Sequence, residues 1–275
     1  MMTSSIKVAN HNEVKEGLRA LCDNGVTHNH WIRIGSDPEY AKLVAEFMTR
    51  GGLDGSFHYR FARAIMRENF FGPEDWSNNY GVRFSKKQLR QIADFPWNED
   101  ILESTCQLCG QVVKGCHFGF LGIDSINGNP LTIMRWQKIH HPLMGYPQFI
   151  SCAPNVWYHK HKFAAQTTMA FRWYLLHQSI PPDSENMFFG DQLQMLSPNY
   201  EVPTTIVEVT KNILLFKKTG KNANPTKCAR TSDGDRTTVS IIKGVIIISD
   251  NYWLNPYTQQ TGVAASRKLP EEDWA

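Results

Sequence analysis

Long apolar runs are missing from this chain. No window approaches the roughly 20 apolar residues that a membrane helix needs. The N-terminal stretch MMTSSIKVANHNEVKEGLRALC has no apolar core of signal-peptide length. The expectation is a soluble protein made without a classical export signal, cytoplasmic by default or brought to a virion or cell surface by a non-classical route. Runs of one charge are missing too. Lys and Arg are scattered and the net charge is only +3, so no basic stripe exists to follow a phosphate backbone, which argues against a nucleic-acid partner. Cysteine is sparse: six in 275 residues are too few for a disulfide scaffold and read as reduced thiols. Internal repeats and low-complexity tracts are absent. GGLDG at 51–55 follows a helical pattern rather than a strand, the wrong context for a phosphate loop.

What is present is material for a core. The apolar fraction is 41%, with Trp, Phe and Tyr spread along the chain, which excludes a disordered polymer and suffices for one large domain or two small ones. Residues 1–100 read as a helical accessory or assembly region. Asn12 precedes EVKEGLRALC, Ser36 or Asp37 caps a helix with Pro38 at its first position, a third helix runs from Phe57 to about Asn69, and Ser85 caps KKQLRQIADF. From about residue 101 the segments shorten and turn rich in β-formers: HFGFLGI, PLTIMRW, PQFISC, NVWYH and MAFRWYLL. One strong helix interrupts them, opening at Val202-Pro203-Thr204-Thr205 and closing at Lys217, Lys218 and Gly220, with Ile206, Val209, Ile213 and Phe216 on one face. TTVSIIKGVIIIS and GVAASRK follow as further strands. The fold class expected is α+β, with 101–275 as a mixed domain behind the helical region.

The sharpest chemical cluster is CQLCGQVVKGCH. Cys106 and Cys109 form a Cys-x2-Cys pair that can grip one ion from a tight turn, and Cys116 and His117 supply soft and borderline donors of the kind zinc takes. The second pair lacks finger or ribbon spacing, and adjacent residues of a strand face opposite ways. The residue pattern therefore favours Cys106 and Cys116 as small buried apolar side chains. The alternative is a zinc- or thiol-dependent enzyme centred on Cys106, Cys109, Cys116 and His117, with His117 or His140 as partner to a Cys106 nucleophile. His159 and His161 sit two apart in an expected strand and would face one way, though Lys160 and Lys162 suggest a solvated face. Glu201, Glu208 and Asp191 have no second carboxylate at a pairing distance, so no acid–base pair is read. Asp233, Asp235 and Asp250 do not make an oxygen-ligand loop for calcium.

The run SDNYWLNPYTQQT, residues 249–261, is nearly free of aliphatic residues. Tyr and Trp give large contact area with few rotatable bonds, while Asn, Ser and Thr give adaptable hydrogen bonds, the chemistry of paratopes and interface hot spots. On composition alone an ordinary polar loop is the simpler reading.

Two motifs shift that balance. VPTTIVEV at 202–209 resembles the Leu-Pro-Thr-x-x-Glu helix of the formylglycine-generating-enzyme type of C-type-lectin fold, with Val202 in place of Leu and Glu208 later than in the pattern. GVAASR at 262–267 looks like the closing Gly-Phe-Arg strand of that fold, and residues 228–253 occupy the place of its late strands and loops. The chain thus resembles the variable proteins of diversity-generating retroelements, a prokaryotic or viral group. The resemblance covers roughly the last 120–170 residues. It implies a C-type-lectin-like domain displaying a hypervariable, non-catalytic ligand-binding surface built from Ser232, Asp235, Ser249, Asp250, Asn251, Tyr252, Trp253, Asn255, Tyr257 and Thr258. The partner implied is a protein or glycan surface, with no cofactor. The enzyme branch of the fold uses a late cysteine pair; only Cys228 follows residue 152 here, so that activity does not carry over.

Overall fold

The structure is a computed structural model and describes residues 11–23, 25–49, 57–150, 156–185, 187–234, 237–250 and 261–270. The chain parts into two compact units, Met1–Asp54 and Gly55–Ala275. The first holds α1 (His11–Asp23), α2 (His28–Ser36) and α3 (Pro38–Thr49). Pro38 opens α3 as its sequence implies, and Asp37 Oδ1 accepts the Tyr40 N–H at 3.0 Å.

The second unit contains helices and strands together, so the fold is α+β. Its first part runs α4 (Phe57–Met66), β1 (Phe70–Phe71), α5 (Pro73–Tyr80), α6 (Lys86–Gln91), α7 (Glu99–Glu103), α8 (Val113–Cys116) and β2 (His117–Leu121). A small hairpin, β3 (Ser125–Ile126) with β4 (Asn129–Pro130), precedes α9 (Ile133–Ile139) and β5 (Gln148–Phe149). Then come α10 (Lys162–Ala165), β6 (Trp173–His177), α11 (Phe189–Met195), β7 (Tyr200–Glu201) and α12 (Thr205–Thr219). The last part is β8 (Cys228–Arg230), β9 (Thr237–Ile242), β10 (Val245–Asp250), β11 (Thr261–Val263) and β12 (Ser266–Arg267). Two five-stranded sheets form, in the orders β1-β2-β6-β12-β7 and β11-β8-β9-β10-β5. Among the described residues no helix is long and apolar enough to cross a membrane.

The sequence reading sets a boundary near residue 100, but the compact units separate at 54/55. The reason lies in the aromatic core. Phe70, Phe71, Trp76, Phe95 and Trp97 from the helical stretch are buried in one cluster with Phe118, Phe120 and Trp173 of the first sheet. The Phe95 and Trp173 rings meet edge-on at 5.2 Å. Each buried indole also finds an acceptor: Trp76 donates to the Leu121 carbonyl (2.8 Å), Trp173 to Ile92 (3.0 Å), and Trp97 to Lys268 near the C-terminus (3.0 Å).

α12 forms as read, with Gly220 left-handed at its C-terminal end and Asp233 Oδ2 accepting the Thr205 N–H at 2.5 Å at its start. β9 and β10 form a hairpin across Lys243 and Gly244, both at positive φ (50° and 78°), the geometry of a two-residue primed turn. Two expected strands are helical instead. PLTIMRW enters α9 because Thr132 Oγ1 accepts the Arg135 N–H (3.2 Å) and starts a turn. NVWYH winds as a 3-10 turn over Trp157–Lys160. GVAASRK, expected as one closing strand, is two: β11 lies parallel to β8 in the second sheet, and β12 lies antiparallel between β6 and β7 in the first. The segment crosses from one sheet to the other, with Val263, Ala264 and Ala265 buried at the crossing.

Candidate metal centre

The Cys-x2-Cys pair folds as a tight loop closed by an antiparallel bridge between Thr105 and Val112. Inside it the Cys106 N–H donates to the Gln111 carbonyl (2.6 Å) and the Gly110 N–H donates to the Cys106 carbonyl (2.9 Å). Gly110 sits at φ 74°, a conformation that glycine adopts without a Cβ penalty. The Leu108 N–H donates to Cys106 Sγ at 3.4 Å. A backbone amide aimed at sulfur favours the ionised thiol.

The other half of the cluster comes from sheet register. Cys116 ends α8, His117 begins β2, and in the antiparallel β2–β6 pair His117 stands opposite His177. The Gln178 N–H donates to the Cys116 carbonyl (2.8 Å), and its side-chain amide donates to the carbonyls of His117 (3.1 Å) and Gly115 (3.2 Å). The end of β6 is thereby clamped onto the start of β2. Donor atoms of Cys106, Cys109, Cys116 and His177 all come within 4.8 Å of one another. Cys106, Cys116 and His177 are buried, and Cys109 is half-buried.

His177 is held in one orientation. Its Nδ1 lies 2.6 Å from the Ser179 carbonyl, so that nitrogen carries the proton and donates it. Nε2 is buried and has no hydrogen-bond partner. Behind the strand end, Lys211 Nζ donates to the carbonyls of His177 (3.4 Å) and Gln178 (3.1 Å) and to Glu208 Oε1 (2.7 Å). Glu208 and Lys211 are each 1% exposed, and the Asn212 amide also donates to Glu208 Oε1 (3.1 Å). Burial raises the Glu208 carboxyl, while Lys211 opposes that shift.

The sulfurs share their protons unequally. Hydrogen bonding from Cys116 pulls the Cys106 thiol far down, against its burial, while the same contact and burial push the Cys116 thiol far up. Burial also raises Cys109. One thiolate beside protonated neighbours is what three close sulfurs adopt without a cation; three thiolates at once need one.

The alternative reading of the sequence took His117 as the fourth donor; the structure brings His177 to the three sulfurs instead. Sheet register sets His117 directly opposite His177, with the two rings edge-on at 5.2 Å, and both His117 nitrogens are already engaged. The His117 Nδ1 is 3.2 Å from Cys116 Sγ and its Nε2 is 3.1 Å from the Tyr200 hydroxyl. Burial, with the neighbouring His177, pushes His117 down to about 3, so it is neutral. His140 is no partner to Cys106; it sits between the Tyr80 hydroxyl (3.1 Å) and the Pro147 carbonyl (2.8 Å). His159 and His161 do not share a strand face. His159 bonds Gln137 Oε1 (2.8 Å), and His161 packs against Trp157 and Phe163.

Of the expected display residues, Ser232 lines a cavity of about 320 Å³ together with Arg172, Glu201 and Thr204. Ser249 and Asp250 end β10, opposite Thr238 and Thr237. Asp235, Asn251, Tyr252, Trp253, Asn255, Tyr257 and Thr258 lie outside the described residues. Comparison with protein-family models, with curated proteins and with solved structures finds no match for this chain.

Proposed function

We propose that the protein binds one zinc ion through Cys106, Cys109, Cys116 and His177, and that the ion serves the fold rather than a reaction. The observation that carries this reading is the gathering of three sulfurs and a bare, buried imidazole nitrogen within 4.8 Å. Thiolates and one neutral imidazole are a zinc donor set, and four protein donors fill a tetrahedral ion, leaving no position for substrate or water. The Ser179 carbonyl on His177 Nδ1 is the outer contact that such ligands usually make. When bound, zinc would tie the 105–112 loop, α8 and the end of β6 into one knot.

Elemental analysis of purified protein should give about one zinc per chain. His177→Ala should lose most of it and unfold at lower temperature. A folded, metal-free wild type whose melting is indifferent to added zinc would overturn the reading.

A second reading concerns residues 232–261: a non-catalytic surface that binds a protein or glycan, as the resemblance to retroelement variable proteins and their C-type-lectin-like domain implies. What favours it is the anchoring on either side. β10 ends at Asp250 and β11 begins at Thr261, both within the second sheet, and Thr261, Gly262 and Val263 are buried. Fixed ends lower the ordering cost of a binding segment. Tyr252, Trp253 and Tyr257 changed together to Ala should leave melting nearly unchanged and remove partner binding. Global unfolding of that variant would place them in the core and end this reading.

A further inference from the structure

The metal centre is connected to the last strand of the fold. β12 lies between β6 and β7, with Arg267 opposite Leu175 on one side and Tyr200 on the other. One guanidinium nitrogen of Arg267 lies 3.4 Å from the Tyr200 hydroxyl oxygen, and the guanidinium stands 5.6 Å over the ring. The Tyr200 hydroxyl is 3.1 Å from His117 Nε2, and His117 Nδ1 is 3.2 Å from Cys116 Sγ. His117 is wholly buried, and Tyr200 and Cys116 are nearly so.

Proton bookkeeping gives this series a direction once Cys116 is a metal thiolate. A thiolate only accepts, so a neutral His117 must carry its proton on Nδ1 and donate it to Cys116. Nε2 is then an acceptor in a buried place, and the Tyr200 O–H is its donor. Tyr200 also lies 3.7 Å from Cys106 Sγ, but its one proton is needed at the nearer His117 nitrogen. The phenol oxygen in turn accepts from Arg267, which has protons and no lone pair to offer. Every group finds its complement in the order Arg267, Tyr200, His117, Cys116. The other tautomer leaves Nδ1 and a thiolate facing each other with no proton between them.

We propose that Arg267, Tyr200 and His117 form a directional hydrogen-bond chain that positions the Cys116 thiolate and offsets charge at the metal centre. This rests on the zinc reading above. Zinc with three thiolates carries a net charge of −1, and the chain points the cation of Arg267 toward it through polarised hydrogen bonds. These three residues do not touch the ion; they act through Cys116. The last strand of the fold is thereby made sensitive to the state of the metal.

The test uses the full chain loaded with zinc or with cobalt(II), whose thiolate-to-metal charge-transfer band reports on sulfur. Tyr200→Phe removes the proton to Nε2 and frees the His117 tautomer. His117→Phe removes the donor to sulfur. His117→Asn keeps a donor near the Nδ1 position. Zinc affinity should fall about 10-fold in Tyr200→Phe and about 10–100-fold in His117→Phe, and His117→Asn should recover much of the loss. The cobalt band should move to lower energy in the first two, because a thiolate that loses a hydrogen bond gives up its electron more easily. Arg267→Met, at a half-buried site, should give a smaller shift in the same direction. Variants that melt earlier but keep wild-type zinc affinity and an unmoved cobalt band would show a packing role and overturn the chain alone. A wild type with no thiolate–cobalt band would remove the centre, and the chain with it.

Discussion

The two five-stranded sheets have equal strand numbers and unlike interiors. The second, β11-β8-β9-β10-β5, buries Val239, Ile241, Ile246 and Ile248 along one hairpin. That central hairpin pairs neighbours in sequence, while β11 and β5 join at the edges from farther away. The hairpin's turn has the backbone that a two-residue connection requires, and Val239, Ile241, Ile246 and Ile248 are aliphatic. The first, β1-β2-β6-β12-β7, pairs strands far apart in sequence and mixes large aromatics with His117, His177, Tyr200 and Cys116 at one end. Burying such groups is costly unless each has a partner. Fixed acceptors and donors meet most of that need, but His177 Nε2 has no partner and lies close to three sulfurs. The difference teaches where to look for a ligand: one sheet has an aliphatic interior, whereas the other ends in three sulfurs and an imidazole that make a zinc donor set.

The comparison can be broken most severely by removing the metal. Structural zinc in finger peptides supplies roughly 10–16 kcal/mol at neutral pH, so chelation should have the largest effect of any treatment. In native-state hydrogen exchange, amides of β2 and β6 should lose protection first on chelation, and those of β9 and β10 last. Equal loss in both sheets would erase the distinction drawn here.

Next in size is Lys211→Met, which removes the cation that opposes the upward push of burial on the Glu208 carboxyl and should cost about 3–5 kcal/mol. It also frees the His177 carbonyl, so zinc affinity should fall with stability in denaturant titrations. The double variant with Glu208→Gln should recover much of the stability. Ile241→Ala probes the other sheet. It should cost about 2–5 kcal/mol, with the same loss in zinc-loaded and chelated protein. A loss that depends on zinc would couple the sheets more tightly than their interiors suggest.

The smallest effect concerns pH and a histidine outside the centre. Burial holds His140 down at about 4, below its ordinary 6.5. The unfolded chain then binds more protons between these values. The stability tied to neutral His140 is complete above pH 6.5 and is lost as pH falls from 6.5 toward 4. His140→Gln should reduce that slope by up to about 1.4 kcal/mol per pH unit, measured as the difference from wild type. An unchanged slope would mean that His140 stays solvated in the folded protein.

Much of this was legible where it depended on neighbours in sequence. α12 announced itself through Pro203, Lys217, Lys218 and Gly220; TTVSIIKGVIIIS read as one strand but folds as the β9–β10 hairpin, because Lys243 and Gly244 turn at positive φ. Cys106 and Cys109 were readable as a pair able to grip one ion, because two residues of spacing suffice for such a turn, although the residue pattern favoured small buried apolar side chains. His177 was not readable. It stands 68 positions beyond Cys109, and only the register of β2 against β6 brings it to the sulfurs. His117 was attractive because it is adjacent to Cys116, yet its two nitrogens are taken up by Cys116 Sγ and the Tyr200 hydroxyl. The misreading of PLTIMRW has a local cause: Thr132 is a capping residue, and its signal lost to the β-branched and aromatic residues after it. Arg267 could be seen only as a charge at the end of a strand, since its link to Tyr200 exists through sheet pairing alone.

The account's central claim is a zinc ion held by three sulfurs and one imidazole. X-ray absorption at the zinc edge of the purified protein tests it most directly. The expected result is about three sulfur scatterers near 2.3 Å and one nitrogen near 2.0–2.1 Å, with the nitrogen signal lost in His177→Ala. A shell of oxygen and nitrogen alone, or one that His177→Ala leaves unchanged, would contradict it.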